Sequence, residues 1–479
     1  MIRPFILGEI SAYLDGELLA GATAEMKRQT VAATPITGIS IDSRVVSAGE
    51  LFVAIKGPRF DGHQYLAKAR EAGAIAAVVD TVSEDVDMIQ IRVSDTFLAL
   101  GKLGRLNRNE FTGRVIAITG SCGKTSVKEM LLAILSEQTK VLSTFGNLNN
   151  GYGVPLTLFR IEKSHENAVI EIGTSSPGEI GYLSTLAMPS VAVITNAAEA
   201  HLAGLESVQG VAEEKGFILD SLDEDGIAVL NREDVFFPIW RERVLAVSGR
   251  KILSFSLGSV EADCVGLNIR SSDRGMSFDL CAFDESIPVN LSFWGRHQVA
   301  NACCAAIACL AVGVELATIV NGLEKARPFQ RRGLRYTLST VPGRQPVIVF
   351  DETYNANPKA TLAAIDQLSD CPGESVMVFG DMLELGAVSE ERHREIGRYA
   401  REQGIEYFAG LGVHAKLACD EFGEEGCHFE SKVALINWVD SLINKTSGDA
   451  LSILVKGSKD MEMLDVVRFL VGPEYKGEC

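Results

Sequence analysis

The sequence predicts an α/β protein built from three domains. Apolar, strand-like runs alternate with stretches of helical periodicity along most of the chain, which is the pattern of α/β folds. A length of 479 residues exceeds what one ordinary hydrophobic core supports, so several domains are expected. A helix-like segment ending near residue 107 and an arginine-rich stretch at residues 327–335 separate the parts. We therefore predict domains over residues 1–110, 111–328 and 329–479.

The first domain is predicted from short strand-like runs with helical stretches between them. These runs read TGISIDSR, ELFVAIKG, IAAVVD and IQIRV. The segment Asp95–Asn107 has helical spacing and closes this part of the chain. The pattern predicts a small α/β domain.

The central domain is predicted to hold a parallel sheet with antiparallel strands appended to it. Its parallel strands are expected at Val115–Thr119, Ala168–Gly173, Val191–Asn196 and Ile227–Asn231, with helical segments between them. After Leu257 the chain changes to short β runs and turn residues, which favours antiparallel strands. The apolar segment GRHQVANACCAAIACLAVGV then returns to helix.

The third domain follows the stretch Arg327–Arg335, which is interpreted as a linker because it is polar and rich in arginine. The strand-like runs VIVFD, SVMVFG, YFAGLG and LSILVKG come next, separated by helical segments such as Ser389–Gln403. This alternation predicts a small, doubly wound, Rossmann-like sheet.

Composition and charge narrow the class of protein. With 63 acidic and 45 basic residues the net charge is −18, which disfavours a nucleic-acid-binding surface. No apolar stretch approaches the roughly 18 residues that span a bilayer. The segment Met1–Pro4 begins no signal-peptide pattern, so a cytoplasmic enzyme is expected.

The ten cysteines are scattered along the chain and form no C-x-x-C pair. Cys303, Cys304 and Cys309 lie in an apolar, helix-like segment, where buried reduced thiols are the expected state. A structural zinc site is not expected.

A phosphate-binding loop is the clearest functional motif. The strand VIAIT runs directly into two glycines, a lysine and a hydroxyl residue, and a helix pattern follows. Glycines let backbone N–H groups point at an anion, and the N-terminus of a helix favours negative charge. The candidate phosphate ligands are Thr119, Gly120, Ser121, Cys122, Gly123, Lys124, Thr125 and Ser126.

Two of these residues have specific expected partners in ATP or GTP. Lys124 would contact the β- and γ-phosphates, and the Thr125 hydroxyl would ligate Mg²⁺. Ile118 stands where the full phosphate-loop pattern has glycine, so the match is to the shorter T-G-x-x-G-K-T form. The helix behind the loop presents Val127, Met130, Leu131, Ile134 and Leu135 at core spacing. The motif predicts nucleotide binding and leaves the reaction open.

Several stretches, taken in chain order, resemble the Mur ligases, the ATP-dependent amide-forming enzymes of peptidoglycan precursor synthesis. TGSCGKTS is similar to their nucleotide loop, and TFGNLNNGYGVPLTL to a substrate loop. DSRVVSAGELFVAIKGPRFDGH resembles an N-terminal uridine-binding segment. The other matching stretches are AVIEIGTSSPGEI, NAAEAHLAGL, EEKGFI, GRHQVANA, FDETYNANP, GDMLELG and VKGSK. Two departures are Gly173–Ser176, where Ala-Asn-His is common, and Gln330–Gly333, which replaces a Gly-Arg linker.

The motifs GNLNN, YNANP and GDMLELG are similar to the branch of this family that adds D-alanyl-D-alanine. The resemblance implies ATP-dependent joining of that dipeptide to UDP-N-acetylmuramoyl-tripeptide through an acyl phosphate. It implies ATP and Mg²⁺ as cofactors, with two ions. It also implies an N-terminal UDP-sugar-binding domain, a central ATP-binding domain and a C-terminal Rossmann-like domain in a monomer.

The same resemblance assigns a metal site to Thr125, Glu171, His201 and Lys215, and catalytic roles to Lys124, His201 and Lys215. By residue type alone, Glu171 is a strand-end carboxylate and His201 can equally be structural. Lys215 lies in a helical pattern where a surface lysine is the ordinary interpretation. The resemblance implies instead that CO₂ carbamylates Lys215, so that it helps hold the second Mg²⁺.

Further contacts are implied in the same way. ATP contacts are assigned to Asn301, Arg332 and Asp351, where the Asp351 carboxylate would bind the ribose hydroxyls. Asn301 is otherwise a helix or surface amide, and turn asparagines have local roles of their own. The residues assigned to the UDP-linked acceptor and the dipeptide are Asp42, Ser43, Arg44, Lys56, Asn147, Asn149, Asn150, Tyr354, Asn355 and Asn357. The first four are expected at uracil and pyrophosphate.

Two other functions stay open on the sequence. One is a related ligase that adds a single amino acid, or a folate-type glutamate ligase. The other is a P-loop NTPase that couples hydrolysis to movement or to partner binding. The NANP turn and the uridine-type first domain argue against the NTPase.

Overall fold

Three β-sheets of five, nine and six strands follow one another along the chain, each with helices packed against it. The computed structural model describes residues 1–19, 28–57, 60–259, 261–338, 346–445, 450–472 and 475. The sheets define what we call the first, central and third units. The predicted α/β class with three sheet-forming parts is confirmed.

The first unit is a small mixed sheet. Its strands are β1 (Phe5–Ile6), β2 (Glu17–Leu19), β3 (Pro35–Ile36), β4 (Ile39–Ser40), β5 (Leu51–Val53), β6 (Ala76–Val79) and β7 (Ile89–Arg92). Its helices are α1 (Leu7–Tyr13), α2 (Arg28–Ala32), α3 (Leu66–Glu71) and α4 (Thr96–Asn109). The sheet order is β2-β7-β6-β5-β4, with only β2 antiparallel to its neighbour, and β1 and β3 form a separate antiparallel pair.

The central unit is a nine-stranded sheet in the order β16-β15-β14-β13-β12-β11-β8-β10-β9. Its strands are β8 (Arg114–Thr119), β9 (Val141–Ser143), β10 (Asn167–Glu171), β11 (Val191–Ile194), β12 (Ile227–Asn231), β13 (Lys251–Ser256), β14 (Cys264–Ser272), β15 (Gly275–Ala282) and β16 (Glu285–Leu291). Pairing is parallel from β9 to β14 and antiparallel from β14 to β16. The predicted antiparallel extension of a parallel sheet is confirmed.

Helices cover both faces of the central sheet. They are α5 (Lys124–Leu135), α6 (Gly153–Phe159), α7 (Glu179–Ala187), α8 (Leu202–Leu205), α9 (Val208–Gly216), α10 (Phe237–Leu245), α11 (Arg296–Ala311) and α12 (Leu316–Lys325). Helices α5, α11 and α12 share one buried core with the sheet, while α6, α7, α9 and α10 share the core on the opposite face. The predicted core positions of α5 are buried, as are Cys303, Cys304 and Cys309 in α11. The phosphate loop therefore stands on a packed helix.

The third unit is a six-stranded sheet in the order β17-β18-β22-β19-β20-β21. Its strands are β17 (Leu334–Leu338), β18 (Val347–Glu352), β19 (Glu374–Gly380), β20 (Tyr407–Leu411), β21 (Gly426–Phe429) and β22 (Leu451–Lys456). Its helices are α13 (Pro358–Ser369), α14 (Ser389–Glu402), α15 (Ala415–Phe422), α16 (Lys432–Lys445) and α17 (Leu464–Val471). All pairs are parallel except β17 with β18.

The linker predicted at Arg327–Arg335 extends too far at its C-terminal end, because its last two residues belong to a strand. Strand β17 begins at Leu334 and pairs antiparallel with β18, with Leu334 opposite Asp351 and Arg335 opposite Phe350. An edge strand can carry polar side chains on its open side, so its sequence resembles a linker. The connection between the central and third units thus ends against the third sheet.

The first and central units are joined by a buried polar contact between α4 and α6. The side-chain amide of Asn107 donates hydrogen bonds to the carbonyls of Leu158, Phe159 and Ile161 at 2.9, 3.0 and 2.9 Å. Asn107 is completely buried, so losing these bonds would leave an unsatisfied amide in the interior. Gly104 lies where an added Cβ would approach the Pro155 Cα to 2.7 Å. The two helices are therefore packed backbone to backbone.

None of the helices in the described part of the chain combines the length and the apolar character needed to cross a membrane.

Candidate active site

A large cavity of about 1070 Å³ opens between the central and third units. It lies at the carboxyl ends of parallel strands from both sheets, with Asn196 following β11, Asn231 ending β12 and Lys456 ending β22. This edge of an open α/β sheet is where ligands bind. Phe97, at the start of α4, brings the first unit to its border.

The phosphate loop forms one wall of this cavity. The N–H groups of Ser121 and Cys122 donate to the carbonyl and side-chain oxygen of Asn196, both at 3.0 Å. The Thr195 hydroxyl donates to the carbonyl of Cys122 at 2.6 Å. The loop after β8 is thus held open by the loop after β11.

Two positions in the loop require glycine. Gly120 has φ +152°, and a Cβ there would approach the Thr195 hydroxyl to 1.8 Å. Gly123 has φ +85° at the N-cap of α5, and a Cβ there would approach the Asn301 side-chain oxygen to 2.5 Å. Both the backbone conformation and the close neighbours exclude a larger residue.

Lys124 points back across the loop, and its ammonium donates to the carbonyl of Gly120 at 2.5 Å. Burial lowers the pKa of Lys124, while the Glu171 carboxylate raises it. A cation at a helix N-terminus with reduced access to water is suited to bind phosphate oxygens.

Glu171 ends β10 and is almost fully buried behind the loop. Its carboxylate accepts hydrogen bonds from the Thr125 hydroxyl and from the Asn149 side-chain amide, both at 2.8 Å. The Glu171 N–H donates to the Thr144 hydroxyl at 2.9 Å. The structure therefore brings together the predicted metal residues Thr125 and Glu171 with the substrate-loop residue Asn149.

His201 also lines the cavity, but its ring is paired with the third unit. Its Nδ1 lies 2.6 Å from a carboxylate oxygen of Glu384, in the GDMLELG loop. The His201 backbone has φ +57° just before α8. Burial lowers the pKa of His201, and Glu384 acts in the opposite direction. The neutral ring is the form that can ligate a metal.

Lys215 is buried rather than exposed, with 2% of its surface accessible. Burial and the nearby Lys124 ammonium lower its pKa to about 7. The adjacent Glu214 accepts backbone hydrogen bonds from Gly178 and Ile180 at 2.7 and 2.8 Å, which anchors α9 against the start of α7. The lysine is thus held inward at the wall of the cavity.

Beside the phosphate loop, α11 presents Asn301 to the cavity. Its amide donates to the Gln298 side-chain oxygen at 3.0 Å. His297, one helical turn earlier, also lines the cavity and was missed by the sequence analysis. Burial and the nearby Lys456 ammonium lower the pKa of His297 to about 4. The four-residue spacing of His297 and Asn301 was the available signal for a shared face.

The third unit closes the cavity from above the phosphate loop. The guanidinium of Arg332 lies 3.7 Å from the centre of the Tyr354 ring. The Asn357 side-chain oxygen caps α13 by accepting from the Ala360 N–H at 2.9 Å, and its amide nitrogen lies 3.2 Å from the Cys122 sulfur. Arg332, Tyr354, Asn355 and Asn357 all line the cavity.

Asp351 does not line the cavity in this arrangement, and its assignment to the ribose hydroxyls stays a prediction. It is fully buried, with one carboxylate oxygen accepting from the N–H and hydroxyl of Thr353 at 3.0 and 2.6 Å. The other oxygen has no hydrogen-bond partner in the described part of the chain. Side chains alternate along a strand, so the next residue, Glu352, faces the cavity instead.

The predicted residues divide into two groups. Those lining the cavity are Ser121, Cys122, Gly123, Lys124, Ser126, Asn149, Asn150, Glu171, His201, Lys215, Asn301, Arg332, Tyr354, Asn355 and Asn357. Thr119, Gly120 and Thr125 lie behind the loop surface, and Asn147 is exposed outside the cavity. The uridine candidates Asp42, Ser43, Arg44 and Lys56 belong to the first unit and do not border it. Arg44 pairs with Asp42 and lowers the pKa of that carboxyl to about 2.

The oxygen donors at Glu171 and Thr125 suit Mg²⁺, which prefers few protein ligands together with substrate phosphates. Within the described residues, no three His, Cys, Asp or Glu side chains converge as a complete metal cage. The buried Lys215 ammonium does not fit a cation site, because Lys124 already supplies positive charge nearby. A carboxylate at that position would fit.

The chain matches three family descriptions in order along the sequence. Residues 35–107 match "Mur ligase family, catalytic domain", residues 118–309 match "Mur ligase middle domain", and residues 338–459 match "Mur ligase, glutamate ligase domain". These spans place the phosphate loop within the middle-domain match.

Individual relatives match over nearly the whole chain. The chain is 38% identical to UDP-N-acetylmuramoyl-tripeptide–D-alanyl-D-alanine ligase of Escherichia coli (strain K12), with 99% of each chain covered. A crystal structure of MurF from Acinetobacter baumannii superposes with a TM-score of 0.89 at 33% identity, covering 98% of this chain and 99% of that one. MurF ligase from Thermotoga maritima in complex with ADP gives a TM-score of 0.80 at 27% identity, covering 90% and 96%.

Proposed function

The chain belongs to the Mur ligase family, and we propose that it joins D-alanyl-D-alanine to UDP-N-acetylmuramoyl-tripeptide at the cost of ATP. One observation carries this proposal: a single cavity unites the phosphate loop, the Glu171 network and the asparagines of the third unit. The full-length relative in Escherichia coli bears the name of this activity.

The chemistry begins with a carboxylate that is a poor electrophile. The tripeptide carboxylate attacks the γ-phosphorus of ATP, which gives an acyl phosphate and ADP. The dipeptide amine then attacks the acyl carbon, and phosphate leaves. Since ATP and the carboxylate are both anions, the protein mainly neutralises charge and aligns the reactants.

Lys124 and the N-terminus of α5 support the phosphates, and Arg332 contributes a second fixed cation from the third unit. Asn149 holds the Glu171 carboxylate from the substrate loop, which connects the acceptor side to the nucleotide side. Glu171 and Thr125 are the proposed ligands of Mg²⁺, which would offset the phosphate charge when bound. His201 is the proposed nitrogen ligand of a second ion.

We further propose that Lys215 is carbamylated. Carbamate formation requires a neutral amine, and burial beside Lys124 lowers the pKa of Lys215 to about 7. The modification replaces a buried ammonium by a carboxylate, so the net charge of the cluster of Lys124, Lys215 and Arg332 falls by two. Anionic ligands for a second Mg²⁺ would otherwise be limited to Glu171.

We also propose that the first unit binds the nucleotide of the acceptor, with Asp42, Ser43, Arg44 and Lys56 holding the UDP part.

We propose domains at residues 1–110, 111–328 and 329–479, because the strands of each sheet fall within one of these spans. A monomer is proposed because described residues from all three units of one chain line the cavity. A cytoplasmic location is proposed because ATP is available there.

The decisive experiment measures phosphate release from ATP with each substrate added separately and together. We expect rapid release only when UDP-N-acetylmuramoyl-tripeptide and D-alanyl-D-alanine are both present, with the extended product detected by mass spectrometry. Stimulation by a single amino acid in place of the dipeptide would favour the related single-residue ligases. Release that ignores both substrates would exclude a ligase.

A further inference from the structure

Glu352 is a carboxylate inside the cavity that the phosphate chemistry does not use. It is the last residue of β18, directly after Asp351, and its side chain is 15% exposed. It lines the cavity together with Tyr354 and Asn355. Burial raises the pKa of Glu352, while Lys456 and Arg332 lower it.

The Glu352 carboxylate can still accept hydrogen bonds. Its nearest cation is the Lys456 ammonium at 3.7 Å, which is beyond hydrogen-bond distance. That ammonium donates instead to the carbonyl of Asn355 at 3.0 Å. Within the described residues the Glu352 carboxylate forms no hydrogen bond. A largely buried carboxylate without a hydrogen-bond donor is costly unless a ligand supplies one.

The other carboxylates of the cavity are already engaged. Glu171 accepts from Thr125 and Asn149. Glu179 accepts from the N–H groups of Ser175 and Ser176 at 2.7 and 3.1 Å, and Glu384 contacts His201. Asp460 is exposed in a one-turn helix at the rim. Among the described residues that line the cavity, Glu352 is therefore a carboxylate that has an ion-pair partner, Lys456 at 3.7 Å, but no hydrogen-bond donor.

The incoming dipeptide is the substrate whose ammonium group has to react. ATP and the acceptor are both anionic in net charge, whereas the α-ammonium of the dipeptide must lose a proton before its nitrogen can attack. Arg332 links the phosphate loop to Glu352, since its positive charge lowers the pKa of both Lys124 and Glu352. We propose, on the basis of the proposed ligase function, that Glu352 binds the α-ammonium of the dipeptide and accepts a proton from it before attack.

The proton transfer balances with the ligation step. An N–H bond of the ammonium breaks, its electron pair stays on nitrogen, and the proton moves to a Glu352 oxygen. The nitrogen then forms a bond to the acyl carbon, and the C–O bond to phosphate breaks with its electron pair on the phosphate. The nitrogen loses its second proton to the departing phosphate, which leaves a neutral amide.

The test compares two nucleophiles on the purified full-length chain. Hydroxylamine is largely uncharged at neutral pH, so it can trap the acyl phosphate as a hydroxamate without first losing an ammonium proton. We expect Glu352→Gln to reduce peptide formation from D-alanyl-D-alanine by about 100-fold, the scale of a lost general base. Hydroxamate formation from the same acceptor and ATP should stay within about threefold of the wild type.

Two further variants complete the design. Glu352→Asp keeps the charge on a shorter side chain and should recover part of the peptide formation. Asp370→Asn neutralises an exposed carboxylate at the far end of α13 and should change neither reaction. Hydroxamate formation also reports that each variant folds and phosphorylates the acceptor.

Equal loss of both reactions in Glu352→Gln would overturn the inference, because it would show a structural or phosphate-side role. Peptide formation close to the wild-type rate would overturn it as well. A wild-type chain that forms hydroxamate but no peptide from D-alanyl-D-alanine would instead contradict the proposed function, so the two failures are distinguishable.

Discussion

At the scale of single residues, Lys215 gives the sharpest test of the proposed metal site. Lys215→Ala should lose at least about 100-fold in turnover, since an anionic ligand would be absent. Acetate or propionate added to this variant should restore part of the activity by filling the vacated space with a carboxylate. Turnover is measured by phosphate release, and Lys325→Ala, an exposed lysine paired with Glu137, serves as the control.

The lowered pKa of Lys215 predicts that carbamylation, and with it reactivation by CO₂, depends on pH. A pKa lowered to about 7 means that the neutral amine, which reacts with CO₂, predominates above that pH. Reactivation of CO₂-depleted enzyme, measured at a fixed concentration of dissolved CO₂, should therefore rise between about pH 6 and pH 8. Full activity of the wild type after CO₂ removal would contradict a carbamate, as would a Lys215→Ala variant with near-normal turnover.

The residue types in the sequence were enough to predict the phosphate loop, but they did not predict which way the side chains around the cavity point. The glycines, Lys124 and Thr125 act through local backbone geometry, which the spacing of the motif reveals. Asp351 and Glu352 differ by one position on a strand, so alternation sends them to opposite sides, and two adjacent acidic residues give no sign of which faces inward. The burial of Lys215 was equally hard to predict from the sequence, because it depends on what α9 packs against.

At the scale of elements, α9 is held in place by a buried charge. The Glu214 carboxylate accepts two backbone N–H bonds at the start of α7. Glu214→Gln would place an amide N–H₂ group where only acceptors fit, so we expect a loss of about 1–3 kcal/mol in the free energy of unfolding. Urea denaturation measures this loss.

The matched control for that experiment is the neighbouring Glu213, which is exposed and accepts from the Gln209 side chain. Glu213→Gln should change stability by no more than about 0.5 kcal/mol. Equal effects of the two substitutions would show that the α7 contact contributes little.

Elements with strong periodicity were predictable, and those defined by distant partners were not. Helix α4 lies within two residues of its predicted ends, because Asp95 provides a local cap for it. Strand β17 was interpreted as part of a linker, since its pairing partner β18 decides its conformation. The short strand β9 was not predicted, and it too depends on a neighbour, β10.

At the scale of the whole molecule, the contacts between the central and third units predict closure over the substrates. Arg392 on α14 forms an ion pair with Glu199, with both contacts at 2.7 Å, close to the contact between His201 and Glu384. Closure would exclude water from the acyl phosphate. Small-angle X-ray scattering should show a smaller radius of gyration when MgATP and the acceptor are bound.

Arg392→Ala should shift the ligand-free protein towards a larger radius of gyration, because about 1 kcal/mol of partly exposed ion pairing is lost. Arg398→Ala is the control, since Arg398 pairs with Glu391 and Glu421 inside the third unit. Identical scattering from all variants, with and without ligands, would argue against closure through this contact.

The backbone-to-backbone joint between α4 and α6 also limits the length of the acceptor. Asn149 and Asn150 lie just before α6, while α4 is part of the unit proposed to hold UDP. If the joint is rigid, the span from the anchored nucleotide to the phosphorylated carboxylate is constant. A UDP-linked dipeptide would then be too short, and we expect its binding to persist while hydroxamate formation fails; equal hydroxamate yields from dipeptide and tripeptide acceptors would show that the joint bends.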